Sequence, residues 1–422
     1  MTVFLDLVGF SIIFPIFPAL LDYYLRLEGS ESLIGRFVDL LERVSPEHNQ
    51  LFFVTVLFGG ILGSLYSILQ FICAPIWGRL SDHYGRRAVL RLTVTGTALS
   101  YLLWVFSGSF ALFLVSRVLA GAMAGNISVA NAAMADLTES KARARGMALV
   151  GVAFGLGFIL GPAIGGLASV WSPFTFVASE PGFGLNPFSF PALLALLIAL
   201  LNTYWVFRVF RETLPDERRS PKVQFRQLVR LRSRNPRVRQ AVRTYFCLML
   251  AFSGMEFTLS FLAVERLAYG PGQIALIFLF VGFMLVLTQG VIVRRYGERI
   301  GELNCVFSGF LALVLGMVCL SFAWESGWFY TGLALLAVGI GLSNPSLNAL
   351  VSRYAGDNEQ GAELGAFRSA GSLARAFGPL IAAGVFWSFG SNFAYVGGAG
   401  VILATLLYAL TLPKPETDLE SK

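Results

Sequence analysis

The chain of 422 residues is 56% hydrophobic and only 14% charged, with a mean hydropathy of +0.69. Soluble globular chains carry roughly 25% charged residues, and a soluble fold of this length could not hide so much apolar surface; the excess has to face lipid. The net charge of +7 does not point to nucleic acid, because the basic residues sit in short segments between apolar runs, where the positive-inside rule places them.

A bilayer core takes about 20 helical residues. In chain order the apolar runs fall near 2–25, 51–77, 88–107, 110–136, 146–170, 188–208, 241–264, 272–293, 303–323, 327–351, 364–388 and 393–412. The expectation is an all-α membrane protein of twelve transmembrane helices. The first run is long enough to span, so it does not read as a cleavable signal peptide. Cys73, Cys247, Cys305 and Cys319 lie in or beside apolar stretches and read as packing residues. The sequon at Asn126 lies in an apolar run, so no glycan is expected there.

Arg86, Arg87 and Arg91, then Lys141, Arg143 and Arg145, then twelve basic residues from Arg208 to Arg243, then Arg294, Arg295 and Arg299 all follow even-numbered runs. The opposite side holds Arg26, Arg36, Arg43 and Arg266, and its long loop 28–50 is net acidic. Both termini are therefore expected to be cytoplasmic. The basic, proline-bearing stretch 211–240 is read as a linker lying on anionic headgroups, with a regulatory or partner-binding role as the other reading. It separates an N-terminal half, 1–210, from a C-terminal half, 241–412, followed by a tail, 413–422.

The halves echo each other. Gly78, Asp82, Gly85, Arg86 and Arg87 recur in spacing as Gly290, Arg294, Gly297, Glu298 and Arg299, and Gly161-Pro162 recurs as Gly378-Pro379. Repeats of six spans are a transporter construction with the solute site at their interface.

The segment from Gln70 to Arg87 joins glycines that permit close approach and a tight turn to an aspartate that can cap a helix N-terminus or pair with an arginine. Here the chain resembles the major facilitator superfamily. Leu5-Asp6-Leu7-Val8-Gly9, with Pro15 and Pro18, is similar to the first helix of drug/proton antiporters of the tetracycline-efflux type. Ser116-Arg117 through Gly121 resembles their fourth-helix arginine motif. Gly151, Gly155, Gly157, Gly161, Pro162, Gly165 and Gly166 resemble their fifth-helix antiporter motif, and Phe210-Arg211-Glu212-Thr213 the end of their sixth helix. Phe252–Phe261 and Phe367–Pro379 are similar to animal members of that group. The resemblance implies the major facilitator fold, with Gly78, Asp82, Gly85, Arg86 and Arg87 as a gating loop and the glycine run as a gating helix. Packing alone is the other reading of Gly157, Gly161 and Gly165, which share a helix face, while Pro162 favours a kink. Two departures stand out: Arg294 replaces the aspartate in the second loop, so only the first is expected to gate. Asp6 lacks the extra apolar turns of its counterparts, which suggests a shortened N-terminus and leaves the depth of Asp6 open.

An ionisable residue inside a span is costly and marks function by default. The candidates are Asp6, Arg117, Glu256, Arg368 and Arg375. His48 and His83 fall in loops, so a proton carrier must be Asp6 or Glu256. Glu256 lies deeper in its span and is the first choice for proton or substrate handling; a structural Glu–Arg pair is the alternative. The resemblance gives Arg117 a part in proton handling. Arg368 and Arg375, two turns apart, share a face, and three span arginines against two carboxylates favour anionic or zwitterionic substrates. Gln70, Asn126, Asn131, Asn344 and Asn348 are cavity candidates or interhelical hydrogen-bond donors.

No glycine-rich loop ends in lysine, so no phosphate cradle is present, and no metal-spaced or triad set points to an enzyme. Neither cofactor nor metal is called for. The reading is a monomeric secondary transporter exchanging protons for amphiphilic organic solutes by alternating access, in the plasma membrane or an endomembrane. An uncoupled facilitator or lipid-moving protein of the same fold is the alternative, and a non-transporting sensor or scaffold a weaker one.

Overall fold

The structure is a computed structural model that describes residues 1–29, 31–44, 51–137, 143–174, 182–215, 235–293, 295, 299–355 and 360–414. Its regular elements among those residues are helices: α1 Thr2–Ser11, α2 Phe17–Glu28, α3 Leu33–Val44, α4 Leu51–Tyr84, α5 Arg86–Val105, α6 Phe110–Met123, α7 Asn126–Leu137, α8 Arg143–Val170 and α9 Ser189–Arg208. They continue as α10 Pro236–Leu267, α11 Pro271–Leu287 with a π turn over Thr288–Val293, α12 Glu302–Ser321, α13 Ser326–Tyr354 and α14 Gln360–Ala409. Among the described residues nine helices are long and apolar enough to cross a membrane, and Thr2–Ser11 and Gly155–Val170 are shorter apolar helices.

Several apolar runs are broken where the sequence pattern is continuous. The first run is interrupted between α1 and α2, where Pro15 has no backbone N–H to donate and Pro18 opens α2. The run 110–136 breaks at Ala124-Gly125. Trp77 takes the carbonyl of Ala122 through its indole N–H at 2.7 Å, and a Cβ on Gly125 would lie 2.1 Å from Trp77 Cδ1. The long α14 holds two helical limbs that meet at Gly390, whose φ of 84° ends the first. The outer stretch 28–50, expected as a loop, contains α3, with Ile34 and Val38 buried one turn apart. Helix α10 starts at Pro236, inside the stretch read as linker, capped by the Asn235 side chain on Arg237 N. The rest of that linker, 216–234, and the tail beyond 414 lie outside the described residues.

The chain divides into two compact units, Met1–Leu228 with Tyr269–Leu279, and Val229–Ala268 with Phe280–Lys422. In the first, α5, α7 and α9 close on Val89, Leu90, Val94, Val129 and Val206, and α1 lies on α8. In the second, α10 lies on α14 and α12 on α13.

One joint recurs in both units. Ser11 of α1 donates to Gly157 O at 3.0 Å, and Gly161 sits against it: a Cβ there would be 2.0 Å from Ser11 Oγ. Ser253 of α10 donates to Ala374 O at 3.4 Å, and a Cβ on Gly378 would be 2.1 Å from Ser253 Oγ. Gly165 extends the first joint, since its Cβ would meet Ile12 O at 1.9 Å. Helix association within lipid relies on such close backbone approach. Gly161→Ala and Gly165→Ala should each lower thermal stability in detergent by about 1–3 kcal/mol, whereas Gly155→Ala, with nothing within 4 Å of the added Cβ, should leave it unchanged.

Candidate functional site

In the first unit Asp6 is 7% exposed on α1. The break between α6 and α7 places Asn126 at the start of α7, where its Oδ1 accepts from Ile127 N and its Nδ2 donates to Asp6 Oδ1, both at 2.7 Å. Arg117 is 5% exposed on α6. Its guanidinium carbon lies 4.4 Å from the Trp104 ring centre, 5.5 Å from Phe113 and 5.7 Å from Tyr101. Its Nε donates to Ser116 Oγ at 3.3 Å, and its buried Nη2 has no hydrogen-bond partner among the described residues. Asp6 and Arg117 form no direct ion pair. Tyr66 and Tyr101 stand in the fields of both. Gln70 is half-buried on α4. The side chain of Asn131 lies outside the described residues.

In the second unit Glu256 is half-buried on α10, in the field of Arg375 on α14. The two do not close to an ion pair. Arg368 and Arg375 are both half-buried, and Arg368 stands near Tyr245, which stacks on Phe367 at 3.8 Å. Asn344 and Asn348, read as one face of α13, differ in setting: Asn344 is half-buried and Asn348 exposed.

The Gly78–Arg87 segment forms a charged cluster where α4 meets α5. Gly85, at φ 93°, makes the turn. Gly78 packs toward Ser128 Oγ, 3.3 Å from where a Cβ would stand. Arg86 gathers the acids: it pairs with Asp82, holds Asp136 through Nε at 3.0 Å and donates to Ser81 Oγ at 2.7 Å. Arg87 and Arg91 each donate to Phe207 O at the end of α9. Asp82 thus takes the pairing role, and the cap of α5 falls to a residue that sequence reasoning quoted only within a motif. Glu212 accepts from Arg86 N at 2.9 Å and Arg87 N at 3.1 Å. The position of an acid just after α9 was visible, but not which helix end it would reach. Asp136, Tyr66 and Tyr101 were missed for the same reason: each joins the site through tertiary packing.

The second unit repeats this helix entry at Gly301, φ 81°, before Glu302. Glu302 pairs with Arg353 at 2.8 Å, matching Arg86 with Asp136 but with signs exchanged. Arg294, Gly297 and Glu298 lie outside the described residues.

A chain whose described regular elements are helices, nine of them long and apolar enough to cross a membrane, is an integral, multi-pass membrane protein of the solute-transporter class. It belongs to the Major Facilitator Superfamily, whose model matches residues 1–379. The chain is 33% identical to human major facilitator superfamily domain-containing protein 10, over 99% of this chain and 93% of that protein, and this is the animal tetracycline-transporter-like relative that the Glu256 and Arg375 segments resemble. It is 28% identical to the class C tetracycline resistance protein of Escherichia coli, over 98% of this chain and 94% of that one. The crystal structure of the human organic anion transporter MFSD10 (TETRAN) superposes with a TM-score of 0.75 at 33% identity, covering 97% of each chain.

Burial raises the Glu212 carboxyl, but the backbone N–H groups of Leu214, Arg87, Arg86 and Thr213 outweigh it and hold the group below its usual value. A carboxyl depressed by folding stabilises above its unfolded value and loses that contribution as pH falls through the folded one. Glu212→Ala should therefore cost about 1 kcal/mol at neutral pH, the scale of a helix cap. The deficit, read as melting temperature against pH in detergent, should shrink below about pH 4.5.

Proposed function

We propose that the protein is a proton-coupled antiporter of amphiphilic organic anions that works by alternating access. The observation that carries this reading is that each unit has a carboxylate on its first long apolar segment, Asp6 and Glu256, that is not closed off by an ion pair, whereas the other acids there, Asp22 and Glu265, stand against Arg26 and Arg266. A carboxylate held by an amide or facing an arginine across a gap can take up and release a proton during the cycle; one locked in a salt bridge cannot do so without first breaking it.

The topology that goes with the proposal has twelve crossings. The pair α1–α2 counts as one, as does α6–α7, and the two limbs of α14 count as two, which gives six in 1–210 and six in 241–412 with both termini in the cytoplasm. The stretch 211–240 is a linker between halves that rock about a central site, and one copy of the chain suffices. Arg117, Arg368 and Arg375 give the path its preference for anions. Gln70, Asn126, Asn131, Asn344 and Asn348 supply neutral contacts. Gly78, Asp82, Gly85, Arg86 and Arg87 act as the gate that Arg86 fastens, and Gly157, Gly161, Pro162 and Gly165 as the surface on which α1 turns against α8. The organic-anion name of the human structural relative and the tetracycline-resistance names of the bacterial relatives support a drug-like anionic solute.

The test is transport by purified protein in proteoliposomes, with an imposed pH gradient and a panel of organic anions, zwitterions and cations. Anion uptake should collapse with a protonophore. Glu256→Gln should lose gradient-driven uptake by about tenfold or more while retaining exchange without a gradient, and Arg375→Ala should lower anion uptake with both readouts. Uptake indifferent to the protonophore would make the protein an uncoupled facilitator. Transport of lipophilic cations alone, unaltered in Arg375→Ala, would overturn the anion preference.

A further inference from the structure

Arg86, Asp6 and Arg117 are buried charges of the first unit, and whereas Arg86 is paired with acids, Asp6 and Arg117 each lack the partner that would ordinarily balance it. Asp6 has one neutral amide; Arg117 lies among rings with Nη2 unmatched. Gly9 and Phe10, one turn beyond Asp6 on the same face of α1, each carry a tyrosine. A Cβ on Gly9 would lie 3.2 Å from Cε2 and 3.3 Å from the hydroxyl of Tyr101. Phe10 stacks on Tyr66 with ring centres 4.4 Å apart.

Both tyrosines also reach the Arg117 side. Tyr101 is one of the three rings around its guanidinium. The backbone of Tyr66 packs on Gly121, one turn from Arg117: a Cβ on Gly121 would be 2.9 Å from Tyr66 O. Tyr66 and Tyr101 are 8% and 3% exposed. Among the described residues neither phenol hydroxyl has a hydrogen-bond partner, so both are available to a charge. Of the helices packed on α1, α7 offers Asp6 its Asn126, α9 brings Asn202 to Thr2 O at 3.4 Å, one turn before Asp6, and the described side chains of α8 include no titratable group.

We propose that Tyr66 and Tyr101 are positioning residues that couple Asp6 to Arg117 through their hydroxyls, in place of a direct salt bridge. This rests on the proton-coupled reading above. An ionised Asp6 draws hydroxyl donors toward α1, leaving the phenol oxygens turned to Arg117; a protonated Asp6 releases them. The tyrosines keep their own protons throughout, and the proton bound by Asp6 comes from and returns to solution. The consequence is that the charge of Arg117 is sensed at Asp6 without an ion pair that would have to be broken in each cycle.

The experiment is infrared difference spectroscopy of the full-length protein in lipid, following the Asp6 carboxyl band assigned by its loss in Asp6→Asn, from pH 4 to pH 9. Tyr66→Phe and Tyr101→Phe keep the rings and remove only the hydroxyls. Each should move the Asp6 titration midpoint by about half a unit or more, on the scale of one hydrogen bond to a charged group. In the double variant the midpoint should no longer respond to Arg117→Lys, although it does so with both tyrosines present. A midpoint unmoved in both single variants, or an Asp6 band that does not titrate in this range, would overturn the proposal. Proteoliposome uptake measured in parallel separates the two readings. Wild-type transport that ignores a pH gradient removes the antiport reading, whereas gradient-driven transport with an unmoved midpoint removes only the role of the tyrosines.

Discussion

Two helix backbones approach each other closely enough in each unit that only glycine fits between them, and the placement of the buried charges follows from this. Lipid gives no hydrophobic drive for helices to associate, so contact must come from shape and from hydrogen bonds donated to backbone carbonyls. Ser11 on Gly157 and Ser253 on Ala374 supply both. Each fixes the register of a carboxylate-bearing helix. Asp6 precedes Ser11 by a little more than one turn, and Glu256 follows Ser253 by almost one. If either joint slipped by one residue, its carboxylate would rotate by about 100°, away from the partners described above.

The charges of the first unit fall into two kinds. At the junction of α4 and α5 they are dense and mutually satisfied: Arg86 holds Asp82, Asp136 and Ser81, and Glu212 closes the helix end above it. Within the spans they are sparse and incompletely matched, with aromatic rings and single amides in place of counter-ions. A cationic guanidinium over aromatic faces gains about 0.5–2 kcal/mol, far short of replacing a full ion pair in a low dielectric. The first kind of arrangement holds a conformation in place. The second leaves free energy to be gained by a proton or an anion.

Much of the fold was legible because hydropathy reports the bilayer directly, and nearly every apolar run became helix. The breaks were not legible. The α6–α7 break arises from Trp77 arriving from another helix to take a carbonyl, which no local pattern records. Helix α3 was hidden by charges in an acidic loop, although Ile34 and Val38 carry a helical spacing. The glycine stripe was read correctly as one face, and Ser11, its hydrogen-bonding counterpart on α1, passed unremarked because a lone serine in an apolar run has no signature. The helix entry at Gly301 was not legible, because it is a positive φ like that of Gly85, and not a motif, that marks it.

The exchanged signs of the two entry pairs bear on assembly. Both units use the same joint and the same helix entry, so during insertion a segment of one could dock in the place prepared for the other, a hazard of proteins built from similar parts. Such a misplacement would set Arg86 beside Arg353 and Glu302 beside Asp136, like charge against like, where each unit's own arrangement joins opposites. Repulsion between wrong partners discriminates as effectively as attraction between right ones. The inverted pairs therefore give each unit a mark of its own, and two similar structures can fold in one chain without exchanging parts.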